Sequence, residues 1–202
     1  MSYSIRRSLL LLLLTLFGAA GALFAAESAL SIKPLTEKKV SVLPPGDLYW
    51  VVEKFASRAD AEKEAELEPL IGELDGSWWR FTLGPKGKPD MPKVAEIGPI
   101  PRIQASEYLL RINVASGKPG SVTPIHIHPG SEAFYVLRGQ QLIRSVKGQL
   151  VVSAGQSEPG FGANLPMQVS SNGSSELRAL VMFVVDAKQP FSSPACFPET
   201  KQ

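Results

Sequence analysis

From residue 108 onward, apolar and polar positions alternate in short runs broken by glycine. Residues 108–114 alternate and end at Gly117-Lys118-Pro119-Gly120; residues 132–137 and 140–146 flank Arg138-Gly139, and 149–152 follow Lys147-Gly148. Side chains on a strand change face at every residue, so each run predicts a half-buried β-strand, with a turn at each glycine. Residues 177–185 (L-R-A-L-V-M-F-V-V) are almost continuously apolar, which predicts a strand covered on both faces. Short strands at this spacing predict an all-β barrel or sandwich.

The first half of the chain is less regular. Residues 27–47 carry Pro34, Pro44 and Pro45 and read as a tether or an edge segment. Residues 48–55 (L-Y-W-V-V-E-K-F) are strong β formers. A short helix is predicted over 57–67, with Ser57 as N-cap and Asp60 three residues on. Asp75-Gly76 signals a hairpin leading into a strand over 78–83. Its Trp78-Trp79 pair either lines a pocket or anchors this segment to the barrel; the anchor is favoured, because large aromatics dominate core burial. The Gly/Pro loops at 84–92 and 98–101 contain neither G-x-G-x-x-G nor a Walker lysine, which argues against a phosphate-binding loop.

Residues 1–26 stand apart. Arg6 and Arg7 precede an apolar run that ends in small residues, the layout of a secretory signal peptide cleaved after Ala22, Ala25 or Ala26. An uncleaved anchor is the rival, since the run nearly reaches spanning length. Arg6-Arg7 loosely resembles a twin-arginine signal, but Ile5 and the leucine-rich core favour ordinary export. Without this leader, 19 basic residues balance 19 acidic ones. No basic patch stands out, so nucleic acid is not an expected partner. Cys196 is the single cysteine, which excludes an intramolecular disulfide and a multi-cysteine metal site.

The chemistry concentrates in residues 120–139, G-S-V-T-P-I-H-I-H-P-G-S-E-A-F-Y-V-L-R-G, which hold both histidines of the protein. His126 and His128 are two apart and leave one face of a strand. A turn at Pro129-Gly130-Ser131 brings Glu132 back beside them, with Phe134 and Val136 on its face and Tyr135 and Leu137 on the other. Two imidazoles and a carboxylate suit Zn, Cu, Fe, Ni or Mn.

Gly120, His126, His128, Glu132 and Gly139 match the first cupin motif, G-x5-H-x-H-x3-E-x6-G, and the resemblance extends over residues 108–186. It implies a single-domain cupin: a jelly-roll barrel holding one divalent transition metal (Cu, Fe, Mn or Zn) in its mouth. The second motif, G-x5-P-x-G-x2-H-x3-N, is degraded after Gly155, and no third histidine exists. Aligning Pro166 with the Pro-His pair of related sequences puts Met167 at the ligand position; counting back from Asn172 selects Gln168. Neighbours on a strand face opposite ways, so only one of the two looks inward, and Met167 is favoured because it keeps the Pro-x pair intact. Asn164 reads as a turn residue at the barrel mouth.

The expectation is thus a signal peptide (1–26), an N-terminal extension with a short helix packed on the barrel (27–107), a cupin barrel of six to eight strands (108–190) and a tail (191–202). The exported protein, periplasmic or secreted, would be a metal-dependent oxidoreductase or lyase acting on a small polar molecule, with no stable membrane association after cleavage and with homodimerisation open. A non-catalytic metal or small-molecule binder is the alternative, and a structural barrel with a vestigial site the second.

Overall fold

The structure, a computed structural model, describes residues 28–63, 67–88 and 93–198. The apolar leader and its expected cleavage lie outside the described residues. Among the described residues, no helix is long and apolar enough to cross a membrane.

Three antiparallel sheets stack, and the middle one explains the others. It orders β1 (Ser31–Val40), β6 (Tyr108–Gly117), β13 (Leu177–Asp186), β8 (Gly130–Arg138) and β11 (Ser157–Phe161). A second five-stranded sheet orders β10 (Gly148–Ser153), β9 (Gln140–Ser145), β12 (Met167–Ser171), β7 (His126–Ile127) and β14 (Ser193–Pro194), and the two together make the jelly roll. A smaller sheet, β3 (Leu70–Leu74), β4 (Ser77–Gly84), β2 (Tyr49–Phe55) and β5 (Ala95–Ile97), covers the outer face of the middle one.

The apolar run of β13 follows from this position. Leu180, Met182 and Val184 pack against Trp50, Trp79 and Phe81 of the small sheet. Ala179, Val181, Phe183 and Val185 face the barrel interior with Phe134, Ile143 and Val169. Trp79 is therefore an anchor between sheets, as favoured from the sequence, while Trp78 is half-buried beneath the Arg58 guanidinium, 5.6 Å from its ring centre.

Two segments outside the expected barrel bounds add strands to it. Residues 27–47, left open between tether and edge, supply β1, an edge strand paired along β6. Pro34 sits beside its bulge, which an edge tolerates because the missing N–H has no ladder partner to lose. Residues expected as tail supply β14. These additions bring the barrel to ten strands rather than six to eight, and β1 joins its sheet from ahead of the boundary drawn at 107.

The helix α1 (Arg58–Glu62) has the expected N-cap, with Ser57 Oγ accepting from the Asp60 N–H at 3.1 Å, but it stops five residues short of Leu67. Arg80 helps end it, donating from Nη1 to the carbonyl oxygens of Ala61 (3.3 Å) and Lys63 (2.7 Å). Asp75 and Gly76 both adopt left-handed φ (53° and 72°) in the β3–β4 turn, as the Asp-Gly signal demands.

Candidate metal centre and cavity

β7 is only two residues long and lies between Pro124 and Pro129, and the histidines sit at its start and just past its end. Their rings meet edge to face, with centroids 5.0 Å apart. His128 is buried and His126 half-exposed at the rim. Each ring is clamped by the backbone. Nδ1 of His126 lies 2.8 Å from the Pro124 carbonyl oxygen, and Nδ1 of His128 lies 2.6 Å from that of Phe191. A carbonyl only accepts, so Nδ1 carries the hydrogen in both rings and the Nε2 lone pair is left free.

Glu132 enters from β8, opposite Phe183 of β13 and Phe161 of β11. Gly160 makes its seat: a Cβ there would fall 1.6 Å from the Glu132 carbonyl oxygen, at a φ of +77°. The Glu132 carboxyl is buried, and its Oε1 has no hydrogen-bond partner. Burial alone pushes its pKa up to about 8. Burial likewise depresses His128 to about 4, with the nearby charges of His126 and Arg111 adding to the effect and the bond to Phe191 opposing it. His128 Nε2 and Glu132 Oε2 are 3.7 Å apart. Although that spacing suits an ion pair, both groups are driven toward their neutral forms, so at neutral pH the pair carries no charge.

This donor set fits a transition metal in kind. Two free imidazole nitrogens and a carboxyl oxygen without a hydrogen-bond partner are what such an ion binds, and the carbonyl clamps on Nδ1 are the outer contacts that hold metal-binding imidazoles. Their arrangement is incomplete: among the described residues, no three His, Cys, Asp or Glu side chains gather closely enough to hold an ion as they stand.

Met167 lies directly opposite His126 in the β7–β12 ladder, which puts both side chains on one face of the sheet. It is buried among Phe134, Ile143 and Val169 and is not part of the cavity wall. Gln168 points outward, its amide nitrogen donating to the Thr123 carbonyl at 3.1 Å and its oxygen accepting from Arg144 at 2.9 Å. Asn164 takes a left-handed φ of 61° and donates its backbone N–H to the His128 carbonyl at 2.8 Å, which is a turn role.

Beside the histidines opens a cavity of about 350 Å³. Its wall is mainly apolar, with Phe134, Val169, Val181, Phe183 and Phe191 prominent, and among the described residues no lysine or arginine lines it. Sequence reasoning missed two contributors. One is the C-terminal strap: Phe191 stacks on His128 (4.8 Å between centroids) and Phe183 (4.9 Å), with Arg111 4.3 Å away, and β14 pairs with β7. The other is Asn113, an amide on the inward face of β6. Its only signal was a polar residue within the run R-I-N-V-A.

A family model described as a cupin domain matches residues 114–183, which enclose both histidines and Glu132. Residues 114–183 are a cupin domain by this match. No curated protein matches it. Among solved structures, this cupin resembles a DMSP lyase (21% identity, 43% of this chain and 44% of that one, TM-score 0.38). It also resembles a cupin-like protein from Thermotoga maritima (16% identity, 43% and 64%, TM-score 0.37). An oxalate oxidase in complex with the substrate analogue glycolate is a third (24% identity, 42% and 45%, TM-score 0.35). The cupin spans less than half the length of the lyase and the oxidase. Likeness at this level says nothing of chemistry.

Proposed function

We propose that this cupin binds one divalent transition metal ion through His126, His128 and Glu132 and acts as an oxidoreductase or lyase on a small molecule held in the adjoining cavity. The observation that carries the reading is the pair of backbone-clamped imidazoles beside a buried carboxyl oxygen without a partner. His126 and His128 would offer Nε2 and Glu132 an oxygen, while Pro124 and Phe191 hold the rings. A bound ion would supply a Lewis acid for an oxygen of the small molecule. The ion is Cu, Fe, Mn or Zn. Copper is favoured, because it heads the divalent affinity order and Met167 offers a soft sulfur next to His126.

Elemental analysis of the purified protein tests this. One equivalent of metal is expected in the wild type, falling about tenfold or more in His126→Ala and in His128→Ala. Unchanged content in both variants contradicts the reading. Met167→Leu keeps the volume, so a fall in copper affinity with an intact fold marks the sulfur as a ligand; equal affinity marks it as packing.

A non-catalytic metal-binding protein is the second reading, favoured by the lack of a third histidine and by ligands not yet gathered around one point. In either case the protein is read as exported, with residues 1–26 removed. N-terminal sequencing of the exported fraction should start between residues 23 and 27; recovery of the full chain in membranes alone would show an anchor.

A further inference from the structure

The cavity holds a second buried polar atom that nothing among the described residues satisfies. Asn113 is 2% exposed, lines the cavity, and its Oδ1 has no hydrogen-bond partner. It stands apart from the histidines and Glu132. In the middle sheet Asn113 pairs with Val181 of β13, whereas Glu132 pairs with Phe183 on the opposite edge of that strand. The two residues are thus two strand spacings apart, about 10 Å across the sheet. The wall between them is apolar, formed by Val181, Phe134 and Phe183.

An amide oxygen buried without a partner costs free energy that an apolar residue of the same shape would not, so its presence on the inward face calls for a donor. The described residues supply none there, and no lysine or arginine among them lines the cavity to receive an anion. We infer that Asn113 is a specificity-determining residue, which accepts a hydrogen bond from the hydroxyl group of an uncharged, mainly apolar molecule occupying the cavity. The aromatic faces of Phe134, Phe183 and Phe191 take the body of that molecule, and its other end reaches toward His128 and Glu132. This deepens the proposed function by naming the substrate class of the same site: an apolar hydroxyl compound rather than the small polar molecule suggested by the sequence.

Three probes of similar size separate the alternatives: phenol, toluene and benzoate, with affinities measured by calorimetry on the whole mature protein. Phenol should bind wild type roughly tenfold tighter than toluene, the value of one hydrogen bond to a buried acceptor, and benzoate should bind weakest. In Asn113→Leu, a near-isosteric change, toluene affinity should be kept or improved while the preference for phenol disappears. The same variant should also melt roughly 2–4 °C higher without ligand, because the unpaired amide is gone. Equal phenol and toluene affinities in wild type would mean that solvent satisfies Asn113, and would overturn the inference. So would an unchanged preference in Asn113→Leu, or its failure to fold, which would make the amide structural. Metal content read in the same samples keeps the two claims apart. A wild type without metal that still prefers phenol defeats only the proposed function; a metal-loaded wild type with no preference defeats only the role of Asn113.

Discussion

Replacing Glu53 with alanine is expected to destabilise the protein by about 3–5 kcal/mol, more than any other single charge removal on the small sheet. Glu53 and Arg80 are only 4% and 8% exposed, and they pair in bidentate fashion, Nε and Nη2 of the arginine each donating to a carboxylate oxygen at 2.6 Å. Arg80 also lies 4.7 Å from the Phe55 ring centre and holds the carbonyls that close α1. Deleting the carboxylate leaves a guanidinium buried without its counter-charge, and that uncompensated burial dominates the cost. For a chain of this length, each kcal/mol moves Tm by about 2–4 °C, so the shift should be on the order of 10 °C. Urea unfolding checks it. A loss below about 1 kcal/mol would show the pair to be solvated, and the double change Glu53→Leu with Arg80→Met should recover most of the stability.

The second large effect depends on pH. The folded pKa of Glu132, about 8, stands above its ordinary 4.5, so between these values the folded protein keeps a proton that the unfolded chain has released. Stability therefore falls as pH rises, by about 1.4 kcal/mol per unit. His128 works the other way. Its folded pKa is about 4 against an ordinary 6.5, so the unfolded chain holds the extra proton and stability rises over that range. The two slopes cancel up to about pH 6.5, and from there to about pH 8 only the loss from Glu132 remains. The metal-free wild type should lose about 2 kcal/mol across that interval, whereas Glu132→Gln should be flat. Parallel curves for the two proteins would place the carboxyl in a solvated setting and remove the argument for a partnerless buried acid.

The barrel was legible because its strands alternate: Glu132, Phe134 and Val136 do face one side, and Tyr135 and Leu137 the other. The turn signals held for a similar reason, since Asp75-Gly76 and the motif glycines Gly120 and Gly139 take left-handed φ (83° and 75° for the latter two) that few other residues accept. Long-range relations were not legible. Nothing in L-Y-W-V-V-E-K-F says that Glu53 turns inward to meet an arginine 27 residues away. Nothing in residues 191–194 marks Phe191 as the roof over His128. For residues 27–47 the prolines kept tether and edge both open, because the pairing of β1 is set by its neighbour β6. Met167 was placed on the inward face correctly, but a side chain's face does not tell packing from ligation.

The central claim is that two imidazoles of this cupin meet on one ion. Copper(II) added to the metal-free protein and read by electron paramagnetic resonance counts the nitrogens on the metal, because each coupled nitrogen splits the signal. The account predicts coupling to two imidazole nitrogens in the wild type, to one in His126→Ala and to one in His128→Ala, with no such bound species in the double variant. A wild-type spectrum without nitrogen coupling, or one unchanged by both substitutions, would contradict it.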